Sequence, residues 1–158
     1  MRADFGVVIS ASHNPPEYNG VKFFLDGWKL DDREQKEIEA LVETTPTDGG
    51  GAAHSEPSDL SQRYVDLVCE RFGSPLKGLR IAADCANGAM YEAAPAAFTR
   101  LGAHVVTIGN QPDGANINVG CGATDLSLLQ RTVREGEFDL GVAFDGDGDR
   151  MLAVDAEG

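Results

Sequence analysis

Asp145-Gly146-Asp147-Gly148-Asp149-Arg150 sets three carboxylates at alternate positions with glycine between them. A looped backbone can turn all three toward one point, and oxygen donors gathered there suit a hard divalent cation. Near the other end, Ser10-Ala11-Ser12-His13-Asn14-Pro15 offers a hydroxyl, an imidazole and an amide in consecutive residues, ahead of a proline that stiffens the turn. That loop is a candidate for nucleophilic chemistry at Ser12. Neighbouring acids in the first string repel by on the order of 1 kcal/mol per pair even in water, so a counterion explains it more economically than a solvated acidic turn. An EF-hand would need glycine at 150 and glutamate at 156, where Arg150 and Ala156 stand. Carboxylates that leave room for a phosphate oxygen and water suit magnesium.

Ser-x-Ser beside proline is also common in ordinary turns, and no triad can be read around Ser12. A serine hydroxyl without a base is a poor nucleophile. A serine already carrying phosphate is a donor that needs only an electrophile to stabilise the transferring group, which a carboxylate-bound cation would supply. His13 is either a satisfied structural histidine or a functional neighbour of that serine, since an imidazole changes charge near neutrality. Lys22 is either a surface lysine on a strand or the acceptor of a proton from an attacking hydroxyl. Arg150 either balances the acids or grips phosphate with its planar fork. Asp84-Cys85-Ala86-Asn87-Gly88 and Asn116-Ile117-Asn118 read as turn chemistry, their side chains bonding local backbone, with no catalytic role.

Positioning these loops requires an α/β frame. Phe5 to Ile9 is an apolar run that reads as a buried strand ending at the Ser10 loop. Asn19-Gly20 marks a turn before a strand over Val21 to Leu25, and the Asp31/Glu34 capping box predicts a helix from about Asp32 to Glu43. Thr44 to Pro57, with Gly49-Gly50-Gly51, has the composition of a connector. Leu60, Tyr64, Leu67, Val68 and Phe72 mark one face of a helix ending at Gly73. Beyond it come a strand at Leu79 to Ala83, a helix from Met90 to Leu101 closed by Gly102, and a strand at His104 to Ile108. A helix from Asp125 to Glu135 closed by Gly136 and a strand at Leu140 to Phe144 complete the series. This alternation predicts a largely parallel sheet with the aspartate string at its carboxyl edge, where open α/β sheets hold ligands.

The 158 residues suffice for one domain, or for a small domain plus part of another, and 42% hydrophobic content suffices for a core. With 13 basic and 26 acidic side chains the formal charge is −13, which argues against nucleic acid and anionic membrane as partners. An anionic substrate must be met locally, by His13, Lys22, Arg150 and a bound cation. Cys69, Cys85 and Cys121 are odd in number and lack CxxC spacing, as expected of reduced thiols in a cytoplasmic protein. The apolar run after Met1-Arg2-Ala3-Asp4 is too short for a signal peptide, and no stretch approaches a membrane span. The sequence fixes no oligomeric state.

Ile9 to Pro15, Asn19-Gly20-Val21-Lys22 and Asp145 to Arg150 resemble, in order and separation, the α-D-phosphohexomutase superfamily. Within it the chain is most similar to the bacterial phosphoglucosamine mutases, through Lys22-Phe23-Phe24, Lys29-Leu30, Asp84 to Ala89, Asn116-Ile117-Asn118 and Gly120 to Asp125. The resemblance implies conversion of glucosamine 6-phosphate to glucosamine 1-phosphate, toward UDP-N-acetylglucosamine and peptidoglycan. Ser12 would be the phosphoserine, and Asp145, Asp147 and Asp149 with a phosphoserine oxygen would hold Mg2+. Lys22 would be the general acid or base, with His13 and Arg150 at the site and glucosamine 1,6-bisphosphate as intermediate. Pro15 to Gly20 is more similar to phosphoglucomutases and phosphomannomutases, which form the alternative, beside a non-catalytic metal-binding module. The resemblance implies mixed and parallel sheets flanked by helices. Residues 1–48 would be the C-terminal part of a first domain, 49–57 a linker, and 58–158 a nearly complete second domain. The third and fourth domains, with the loops that select the sugar and grip its phosphate, would be partners from the same enzyme. Without them full turnover is not expected.

Overall fold

The computed structural model describes residues 4–45 and 60–158. The chain divides into one unit formed by Met1–Ser10 and Gly20–Ser58, and a second formed by Ala11–Asn19 and Asp59–Gly158. The connector expected over 49–57 lies outside the described residues.

In the first unit, β1 (Phe5–Ser10) and β2 (Gly20–Leu25) pair antiparallel, from Phe5 opposite Leu25 to Ser10 opposite Gly20. Asp26 and Gly27 both adopt positive φ, 49° and 86°, as a type I′ hairpin turn requires. They return the chain into β3 (Trp28–Lys29), a strand too short to leave any periodicity in the sequence. α1 (Asp32–Thr44) starts on the expected capping box: Asp31 accepts from the Glu34 N–H at 2.8 Å, and Glu34 accepts from the Asp31 N–H at 2.9 Å. The expectation that β1 is buried fails. Ile9 is 71% exposed, and no described residue of this unit is buried. A continuous apolar run marks a strand that layers on both faces could cover; here Gly6 and Ser10 are half-buried and the other four residues of β1 exposed.

The second unit carries the core. β4 (Arg80–Asp84), β5 (His104–Ile108) and β6 (Leu140–Phe144) run parallel in the order β5-β4-β6, as the alternation predicts. β7 (Met151–Asp155) then adds antiparallel to β6. This strand is missing from the sequence reading because its short apolar run directly follows the aspartate string. β4 and β6 bury nearly every residue, as central strands covered on two faces must. Ile81, Ala83, Val142 and Phe144 pack with Ala94 of α3 (Ala93–Arg100), while Ala82, Ala143 and Val154 pack with Leu129 and Val133 of α4 (Ser127–Gly136). α2 (Ser61–Phe72) lies on α3 through Val65, Ala93 and Ala97, and Arg100 pairs with Asp66 across the two helices.

Two helix ends differ from expectation. α3 starts at Ala93 because Pro95 is accommodated within a first turn, where N–H groups lack intrahelical partners anyway. α4 closes on Glu137, itself left-handed at φ 53°, rather than on Gly136, which is pressed against the Phe138 ring.

Candidate functional site

Asp145 to Arg150 form the turn of the β6–β7 hairpin, whose last ladder pair is Phe144 opposite Met151. The turn is cross-tied: the Asp145 N–H donates to the Arg150 carbonyl (3.3 Å), the Gly148 N–H to the Asp145 carbonyl (3.0 Å), and the Arg150 N–H to Asp145 Oδ1 (3.1 Å). Burial falls along the string, from Asp145, 1% exposed, through half-buried Asp147 to exposed Asp149. One carboxylate oxygen from each lies within 4.8 Å of the others. Among the described residues Asp145 Oδ2 is buried with no hydrogen-bond partner, and Arg150 Nε stands 3.6 Å from it and 3.5 Å from Asp149 Oδ1. A buried carboxylate oxygen without a hydrogen bond, in a set of three acids, fits a divalent cation with oxygen ligands.

The Ser12 loop belongs to the same unit. Ser12 is half-buried with φ 50°, a left-handed backbone that costs a non-glycine residue about 1–2 kcal/mol and persists only where the surroundings impose it. Its Oγ donates to Asp147 Oδ1 at 3.3 Å and lies 3.4 Å from His13 Nδ1. Arg150 Nη2 lies 2.8 Å from the same Nδ1. Because a guanidinium only donates, His13 Nδ1 is the acceptor and the neutral ring carries its proton on Nε2. That lone pair faces both Arg150 Nη2 and, at 3.4 Å, the Ser12 hydroxyl.

Thus Ser12, His13, Asp145, Asp147, Asp149 and Arg150 come together within one unit. Lys22 lies on β2 of the other unit, half-buried and opposite Val8 in the ladder.

Asn118 departs from the local turn chemistry expected of it. Its Nδ2 donates to the carbonyls of Ser12 (2.8 Å) and Asn14 (2.9 Å), more than a hundred residues away. Gly146 closes the same corner: a Cβ there would fall 2.4 Å from the Ser12 carbonyl oxygen and 2.9 Å from Asn118 Nδ2. Sequence spacing carries no signal for such a contact, since its acceptors are backbone groups present at every residue.

Behind the site, Asp84 is wholly buried at the end of β4 and accepts from the Ala86 N–H (3.0 Å) and the Gly122 N–H (2.8 Å). Burial pushes its carboxyl above the ordinary value, against the two N–H bonds that favour the ionised form. Burial likewise pushes the thiols of Cys85 and Cys121 up to about 12 and 11, with Asp84 adding to both. Thiolate is the reactive form, so these cysteines are inert at neutral pH. Iodoacetamide should alkylate half-buried Cys69 in the native protein well before either of them. Peptide mapping that found Cys85 labelled first would contradict this arrangement.

Residues 62–158 match the family described as phosphoglucomutase/phosphomannomutase, alpha/beta/alpha domain II, and residues 1–48 match domain I of the same family. The chain belongs to the phosphoglucomutase/phosphomannomutase family. Its whole length is 50% identical to the phosphoglucosamine mutase of Pelotomaculum thermopropionicum and 50% identical to that of Cronobacter sakazakii, covering 37% of each. A crystal structure of a phosphoglucomutase/phosphomannomutase family protein from Burkholderia thailandensis superimposes with a TM-score of 0.80 at 28% identity, over all of this chain and 35% of that one. The chain therefore spans little more than a third of the length of these relatives. In this phosphoglucomutase/phosphomannomutase chain, Ser12 falls in the segment matching domain I and the three aspartates in the segment matching domain II. Among the described residues no helix is long and apolar enough to cross a membrane.

Proposed function

We propose that this chain is the part of a phosphoglucosamine mutase that carries the transferable phosphate on Ser12 and holds the metal ion beside it. The observation that carries this reading is the Ser12 hydroxyl 3.3 Å from Asp147 Oδ1, at a cluster of three carboxylates. Phosphate on Ser12 brings about −1.5 to −2 charges to that cluster, which only a strong local cation makes tolerable. Asp145, Asp147 and Asp149, with an oxygen of the phosphorylated Ser12, would hold Mg2+. Bound there, Mg2+ supplies positive charge that stabilises the transferring phosphoryl group.

The chain's own groups have separate tasks. The bond from Ser12 Oγ to phosphorus breaks as the free hydroxyl oxygen of the hexosamine phosphate bonds to phosphorus, and Lys22 takes the hydroxyl proton. The resulting glucosamine 1,6-bisphosphate turns over in the site. Its other phosphate returns to Ser12 Oγ, and Lys22 gives the proton to the sugar oxygen left behind. His13, its Nδ1 engaged by Arg150, donates from Nε2 to a phosphate oxygen, and Arg150 holds the histidine while offsetting Asp145 and Asp149.

The hexosamine is supported by relatives at 50% identity that are phosphoglucosamine mutases. On this reading residues 1–48 end a first domain, 49–57 link, and 58–158 form the second; further domains of the same enzyme select the sugar. Cytoplasmic residence follows from the substrate.

Ser12→Ala tests the reading. Exposed to glucosamine 1,6-bisphosphate and Mg2+, the wild-type protein should gain one phosphate on Ser12 by intact-mass and peptide analysis, and the variant none. Both should retain the cation site of the unphosphorylated protein. Phosphate gained equally by the variant would overturn the assignment of Ser12.

A further inference from the structure

We propose that Asn118 is a positioning residue that fixes the backbone of Ser12 in its left-handed conformation and so aims the Ser12 hydroxyl at the aspartate loop. The conformational part stands on geometry alone; its effect on phosphate transfer rests on the reading of Ser12 above.

Three features converge on this role. One amide nitrogen holds two carbonyls of the same loop, those of Ser12 and Asn14, at 2.8 and 2.9 Å. Because both acceptors lie on one side, the amide cannot be turned over without setting its oxygen against two carbonyl oxygens. Asn118 Oδ1 is accordingly buried without a hydrogen-bond partner among the described residues, as expected when the nitrogen's two contacts dictate the orientation. Asn118 is itself anchored: it sits at φ 58°, a conformation asparagine tolerates better than other side chains. Its N–H donates to the Ala86 carbonyl at 2.9 Å, and the Ala86 N–H is held by buried Asp84. A connected path thus runs from the end of β4 to the Ser12 carbonyl. On the remaining side, Gly146 makes space for that carbonyl and for the Asn118 amide, where a Cβ would fall 2.4 and 2.9 Å from them.

The clamp adds to the loop's internal bond, from the Asn14 N–H to the Ala11 carbonyl (2.9 Å), which closes a turn over Ser12 but leaves its carbonyl to Asn118. Asn118→Asp is nearly isosteric but replaces the donating nitrogen with a carboxylate oxygen that repels both carbonyls.

The test uses isotope-labelled protein, wild type and Asn118→Asp, and reads the Ser12 HN–Hα coupling and Cα/Cβ shifts by NMR. Asn118→Gly, which keeps the left-handed backbone of residue 118, serves if the aspartate variant does not fold. The same samples are given glucosamine 1,6-bisphosphate and Mg2+, and phosphorylation of Ser12 is timed. The expected result is a left-handed signature at Ser12 in wild type, its loss in the variant with β4 and β6 shifts unchanged, and transfer slowed about a hundred-fold, as for an ångström-scale misplacement. A variant whose Ser12 signature matches wild type overturns the proposal. So does a variant that loses the signature yet is phosphorylated at the wild-type rate. Loss of the signature with no phosphorylation of wild type would sink the phosphoserine reading and leave the conformational role of Asn118 standing.

Discussion

Asp145→Asn is expected to weaken binding of Mg2+ or Mn2+ by about a hundred-fold or more, since changes even outside a ligand set cost 10- to 100-fold and Asp145 is the innermost of the three acids. The substitution is informative because its two consequences oppose each other. Asparagine keeps an oxygen where Asp145 Oδ1 accepts the Arg150 N–H, so the hairpin turn retains its cross-tie. It also removes one charge from a mutually repelling set, where each pair is worth on the order of 1 kcal/mol. Against this, the amide nitrogen replaces buried Oδ2 beside Arg150, so the cation-free variant should melt close to wild type while failing to bind. Asp149→Asn, at the exposed end of the string, should lose affinity less steeply. Titration calorimetry with Mn2+ beside thermal melts separates these effects. Unchanged affinity in Asp145→Asn would mean that the carboxylates do not form the cation site.

Asp84→Asn should destabilise the second unit by about 2–3 kcal/mol. The buried carboxylate receives one N–H on each oxygen, whereas an amide can accept only one and sets its own N–H against the other. A buried donor left without an acceptor costs about 1–3 kcal/mol. The pH dependence has a definite sign. Burial holds the Asp84 carboxyl above its ordinary value of 3.8, so the folded chain binds that proton more tightly than the unfolded chain. The stability attached to this group is complete below 3.8 and declines as pH rises through the native value. Asparagine has no such slope, so the advantage of wild type over Asp84→Asn should shrink with rising pH across that window. Urea unfolding of both proteins over a pH series measures it. An advantage that widened with pH would show that the two N–H bonds outweigh the burial penalty.

What the sequence discloses depends on how local the physics is. The aspartate string is legible because its charge density is improbable without a counterion and all its members lie within five residues. Asp31 and Glu34 are legible because a capping box is closed within one helical turn. β4 and β6 announce themselves as apolar runs that end at Asp84 and Asp145. Asn118 stays hidden because its partners are backbone carbonyls whose identity no residue type encodes. β7 stays hidden because five residues without alternation can follow a loop in many ways. Ile9 misleads for a related reason: an apolar run records a capacity for burial, and 71% exposure shows that capacity unused among the described residues. The tautomer of His13 is likewise invisible in sequence, since it is set by an arginine 137 residues along.

The β6–β7 ladder closes at Phe144 opposite Met151, leaving residues 145–150 as the whole turn. A slip of one residue would swing every side chain of β7 to the opposite face and carry Val154 out of the core it helps to close. Surface loops generally drift in length between related chains. This one is denied that freedom, because an added or deleted residue would part the bonds that tie Asp145 to Gly148 and Arg150 across the turn. Gly146 and Gly148 leave no room for a Cβ either, so the spacing of the acids is held as by a ruler fixed at both ends.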